Sequence, residues 1–172
     1  MSAKKKKAAA VLTADPTLEQ TTVLQRVRDW IATYSGYDIL ANFLVDYTDQ
    51  AQAATGGIFP SGLTVLETHR DILGNVWTVN QYNFGIYTVF FKPDADDTEA
   101  TANAEWVADF QRWVQEQWAT GQAPVFGDRP REERISAQNG VMYAASEEGT
   151  AVYMVQLSVV FVKDYPNNLF LR

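Results

Sequence analysis

Between Glu105 and Pro124 the chain reads E-W-V-A-D-F-Q-R-W-V-Q-E-Q-W-A-T-G-Q-A-P, and no other segment limits the fold as strongly. At about 100° per residue, Trp106, Val107, Phe110, Trp113, Val114 and Trp118 fall within an arc about 140° wide. Only Gln117 interrupts that arc. Glu105, Asp109, Arg112, Gln115 and Glu116 lie outside it. Three indoles on one helix suit an exposed platform for sugars, bases or peptides, but such a platform does not need Val107, Phe110 and Val114 on the same face. The pattern predicts a helix laid across a sheet, with Trp106, Phe110, Trp113, Val114 and Trp118 as its core side. Gly121 is the expected stop.

The rest of the chain supplies the sheet. Val76 to Lys92 reads as one long strand, polar on both faces at Thr78, Asn80, Gln81 and Asn83, then apolar on both faces from Phe84 to Phe91. Gly85 is the expected bulge between the halves. The polar half, paired through I-L-G-N with a strand over 64–71, predicts a hairpin that leaves the body. The apolar half predicts cover on both sides, a helix on one and another subunit on the other. Ile135–Ala145 and Thr150–Lys163 form a closing hairpin, with Tyr153, Val155, Leu157, Val159 and Phe161 alternating onto one face.

Upstream, T-L-E-Q is a capping box with Thr17 as N-cap. Leu24, Val27, Ile31 and Tyr34 follow at helical spacing up to Gly36. Asn42–Tyr47 reads as a first strand, and T-D-Q-A-Q-A-A-T-G-G-I-F-P-S-G as a surface loop. Residues 1–15, with Lys4–Lys7, are expected to be a flexible Lys-rich tail. Residues 16–172 form a single α+β domain: a mostly antiparallel sheet, two main helices packed on one face and a protruding β-hairpin.

The chemistry that composition allows is narrow. The net charge is −7 even with the four clustered lysines, so the body is acidic and sequence-specific nucleic-acid binding is not expected. There is no cysteine, which removes thiolate nucleophiles, disulfides and cysteine metal sites. No apolar run is long enough to span a membrane, and no signal peptide is expected. A protein made and assembled in the cytoplasm is the corresponding expectation.

The lone histidine, His69, is flanked at i±2 by Glu67 and Asp71. That pattern suits acid–base work, or a solvated polar strand face, which is the reading taken. Asp46 and Glu67 would make a carboxylate pair only on neighbouring strands. Asp94, Asp96 and Glu105 match positions 1, 3 and 12 of a calcium loop, but Glu99 stands where the turn needs glycine. Helix N-terminal charge, with Asp97, explains the cluster. No catalytic, cofactor-binding or metal residue is assigned.

Phe110, Trp113, Val114, Gln117, Gly121 and Pro124 give an F-x-x-W-[VL]-x-x-Q helix ending in x-x-x-G-x-x-P. This segment resembles one in the small tail-terminator, or tail-completion, proteins of tailed bacteriophages. Y-M-V-Q-L-S-V-V-F, Tyr153 to Phe161, is similar to that family's Y-x-[IV]-Q-L closing strand. L-V-D-Y, the long loop and the aromatic-rich hairpin fall in the same order, over roughly 18–165. The resemblance implies a structural virion protein of the tail or neck. Such a protein forms a homo-oligomeric ring, commonly a hexamer, on the tail tube protein. It then meets a head–tail connector and sheath proteins, or ends the tail of a headless particle. Ile58, Phe59, Asn80, Asn83 and Phe126 are the expected oligomer or partner contacts, as apolar or extended residues outside the expected core. A small α+β enzyme and a tryptophan-based ligand-binding module are the competing readings.

Overall fold

The computed structural model describes residues 16–92, 97–147 and 149–167. The Lys4–Lys7 tail and Asp94 and Asp96 lie outside them. Helix α1 spans Pro16–Ile31, strand β1 Asn42–Val45, β2 Thr55–Arg70, β3 Val76–Phe91, helix α2 Asp97–Ala119, β4 Arg134–Ala145 and β5 Thr150–Tyr165. The strands form one sheet in the order β1-β2-β3-β5-β4. Only the β1–β2 pair is parallel, which makes an α+β domain with a mostly antiparallel sheet.

Strand pairing sets Tyr82, Phe84, Ile86 and Phe90 of β3 beside Val159, Leu157, Val155 and Ala151 of β5. All are buried under the helices. The α2 stripe meets them through Trp106, whose ring lies 5.4 Å from Phe90. The helices join through aromatic rings, with Trp30 stacked on Trp113 at 4.9 Å and Tyr34 edge-on to Phe110 at 5.4 Å. Gln117, the polar residue inside the stripe, accepts a hydrogen bond from the Trp30 indole at 3.4 Å. Burying each large apolar side chain here contributes about 1.5–3 kcal/mol.

Helix ends follow local chemistry. Gly121 takes φ +70°. The Gln122 amide donates to the Gln117 carbonyl and the Gly121 amide to that of Trp118, a Schellman close. Helix α1 ends at Ile31, short of the expected Gly36 stop; Gly36 lies in a 3-10 helix, Ser35–Ile39, and its carbonyl accepts from the Trp106 indole at 2.9 Å. A methyl group on Gly36 would lie 2.5 Å from the Tyr34 ring.

Several local expectations are corrected. Helix α1 already contains Thr17, so Thr17 is not an N-cap. Residues Thr55–Gly62, read as surface loop, are strand, because Thr55–Ile58 pair with β1 and β3 at once and Phe59 and Pro60 continue along β3. The segment's glycines fit close backbone approach: a side chain on Gly57 would strike the Tyr47 carbonyl. Gly85 is no bulge, since its register to β2 and β5 is continuous. The irregularities in β2 fall between Pro60 and Leu63 and between Val65 and Glu67. Glycine at 85 instead leaves room for the Tyr87 ring, 2.8 Å from where a Cβ would stand.

Candidate assembly surfaces

The residues proposed for contact do not form one surface. Ile58 pairs with Ile86 on the helix-covered face and is completely buried. Phe126 is also buried, in the loop after α2. There the Glu133 carboxylate accepts from the Phe126 amide at 3.1 Å and the Gly127 amide at 2.6 Å. Both are core residues: Ile58 lies between β1 and β3, and Phe126 packs into the hydrophobic core. Asn80 is buried, and its amide donates to the Thr78 hydroxyl at 2.8 Å. Asn83 is half-buried and accepts from Gln81. Phe59, like Asn83, is half-buried. It packs edge-on to Tyr87 at 4.9 Å, and Tyr87 meets the exposed Tyr143 at 5.5 Å.

That aromatic row lies on the face of the sheet away from the helices. One end of this face is covered by the chain itself. The Ala54 amide donates to the Val89 carbonyl, and the Thr150 hydroxyl to the Gln50 carbonyl, so Val89 and Val152 are buried. The second cover expected from another subunit is therefore supplied in part by the 46–54 loop.

The tryptophan stripe holds with one correction. Phe110 and Val114 are fully buried, and Trp106 and Trp113 are half-buried against the core. Trp118 is 41 % exposed, because the helix ends one residue later and no strand crosses its outer side. Its indole donates to the Glu133 carbonyl at 2.9 Å. Two adjoining clefts, of about 630 Å³ and about 550 Å³, share Trp118 and Ile135.

The hairpin expected to leave the body does so along β2. Strand β1 ends its pairing at Ile58, and from Leu63 to Arg70 every β2 residue is exposed. Leu63, Val65 and Leu66 lie along this arm, and Ile72 and Leu73 at its turn. None of these five stood out in the sequence. Their short apolar spacing, L-T-V-L followed by I-L, looks like an ordinary buried strand and turn.

The arm is braced by hydrogen bonds and ring contacts. Asp71 accepts from the Leu73 and Asn75 amides, each at 2.9 Å. Hydrogen bonding from the Asn75 side chain holds the Asp71 carboxyl below its ordinary range. The Asn167 side chain donates to the Leu73 carbonyl at 2.9 Å. Trp77 is stacked by His69 at 5.2 Å and approached by the Arg129 guanidinium at 5.0 Å. Arg129 in turn donates twice to Asp164, at 2.6 and 3.1 Å, which lowers the Asp164 pKa and raises its own.

The acid–base constellations are placed as follows. His69 bonds Glu67 at 2.8 Å on the exposed arm. Asp71 is engaged in the turn. Glu67 stands nine positions along β2 from Ile58, whose carbonyl receives the Asp46 amide, so Asp46 and Glu67 are not strand neighbours. Residues Asp97 to Glu105 are helical, so the second half of the calcium-loop pattern is no loop. Among the described residues no cluster of three or more metal-ligating side chains occurs, and no helix is long and apolar enough to cross a membrane. Compared with known proteins, the chain matches no family model and no curated protein.

Proposed function

We propose that this chain is a ring-forming terminator of a phage tail or a phage-tail-like particle. In this reading it caps the tail tube and joins it to a head connector, or ends the tail where there is no head. The observation that carries the reading is the order of motifs from the Phe110–Pro124 helix end to the Tyr153–Phe161 strand. The exposed Leu63, Val65 and Leu66 of the arm are compatible with it, since grouped apolar exposure marks an interaction surface. The work is association, and no catalytic residue is assigned. Partners are further copies of the chain, the tube protein and, at the neck, connector and sheath proteins.

Light scattering on the protein alone and mixed with tail tubes tests this. A ring, or a 19.3 kDa monomer that becomes a ring on tubes, supports it. A monomer indifferent to tubes overturns it. The half-open indole of Trp118 favours one second reading, a tryptophan-based binding module. That reading requires Trp118→Ala to abolish capture of a small ligand while leaving assembly intact.

A further inference from the structure

The arm and the cleft beside Trp118 lie at opposite edges of the same sheet, and strand register sets their relative height. One row of paired residues runs Leu63–Tyr82–Val159–Ile135, from the base of the arm to the floor of the cleft. A second row runs Glu67–Val79–Val162, and the Val162 carbonyl receives the Asp128 amide at 2.8 Å. The arm from Leu63 to Glu67 therefore stands level with the cleft and with the loop around Asp128 that borders it. Leu63 and Ile135 also share the helix-covered face.

We propose that the arm of one copy seats in the Trp118 cleft of the next. This rests on the ring reading and names its interface. Leu63, Val65 and Leu66 are exposed and apolar; the cleft offers Trp118 and the exposed Val125. Its lip carries Arg131 and Arg134, exposed guanidiniums with no ion pair among the described residues. On a chain of net charge −7, these arginines offer positive charge to an acidic neighbour, and strand register sets Arg134 level with Thr64 of the arm through the row Arg134–Val160–Gln81–Thr64. Joining different surfaces at equal height adds little rise along the strands. Such a heterologous contact closes into a ring when its rotation divides a full turn and runs on as a filament when it does not. The second sheet edge is poorly suited to bare strand addition. Strand β4 is interrupted between Gln138 and Val141 and between Met142 and Ala144, and Gln111 of α2 donates to its Ala137 carbonyl. The cleft, rather than the β4 backbone, is the acceptor.

The chain has no cysteine, so introduced thiols report alone. Val65→Cys protein is mixed with Val125→Cys protein on tail tubes and treated with a short bis-maleimide. Mixed dimers, with a ladder up to the ring when both thiols are on one chain, are expected. Val65→Asp with Leu66→Asp is expected to lower the assembled mass to that of the 19.3 kDa chain, with an unchanged circular dichroism spectrum. Rings that persist in that variant, or cross-links only between two arms, overturn the arm-in-cleft contact and leave the ring reading standing. Unmodified protein that forms no ring with or without tubes overturns both.

Discussion

Strand β2 is one continuous element with two fates. From Thr55 to Ile58 it runs between β1 and β3 and is buried; from Leu63 to Arg70 it keeps β3 but loses β1 and is exposed. Apolar content does not separate the halves, for Ile58 and Phe59 in one are matched by Leu63, Val65 and Leu66 in the other. Burial is decided by what lies alongside, not by the strand's own residues. The inner half therefore serves folding, and the outer half is available for association.

Four changes test this contrast, in descending order of effect on the monomer. Phe110→Ala removes a fully buried ring that joins α2 to Tyr34 and is expected to cost about 3–5 kcal/mol in denaturant unfolding. Gly36→Ala forces a methyl group against the Tyr34 ring and the Trp106 indole. It is expected to cost about 1–3 kcal/mol, with retained binding to tubes if the body merely relaxes. Glu133→Ala strips the acceptor from the Phe126 and Gly127 amides and is expected to cost about 1–3 kcal/mol. It also reshapes the cleft lined by Glu133, so ring formation on tubes is expected to weaken in parallel. Ile72→Asp, at the far end of the arm, is expected to shift stability by no more than about 0.5 kcal/mol. Rings should survive it, since Ile72 lies beyond the row that meets the cleft; their loss would move the contact to the tip.

Acid separates the two regions in a second way. The folded pKa values of Asp71 and Asp164 are lowered from the ordinary 3.8, chiefly by hydrogen bonds from Asn75 and Arg129. A lowered folded pKa adds stability that is fully present above 3.8 and is lost as pH falls below it through the folded values. Both carboxylates brace the arm. Hydrogen exchange is expected to show arm amides opening below that pH before those of the Phe110 core. Simultaneous loss of protection would show that the arm is not a separate unit.

Some of this was legible from residue order alone. The α2 stripe, its Gly121 close and the alternation along β5 are local signals, set by helix and strand periods and by glycine's freedom at positive φ. So the α+β class and most strand spans could be read directly. Others depended on neighbours far along the chain. Ile58 and Phe126 looked like contact residues because nothing nearby in sequence covers them. In the fold, Ile58 is enclosed between β1 and β3, and Phe126 packs into the hydrophobic core. Trp118 shared the helical phase of the buried indoles, yet the helix ended before anything crossed it. Leu63, Val65 and Leu66 carried no mark of exposure, because β1 leaves β2 after Ile58, a fact of topology. Periodicity determined which side of each element is apolar. Only tertiary structure decided which apolar sides were covered, because coverage depends on strand order and on where each neighbour stops.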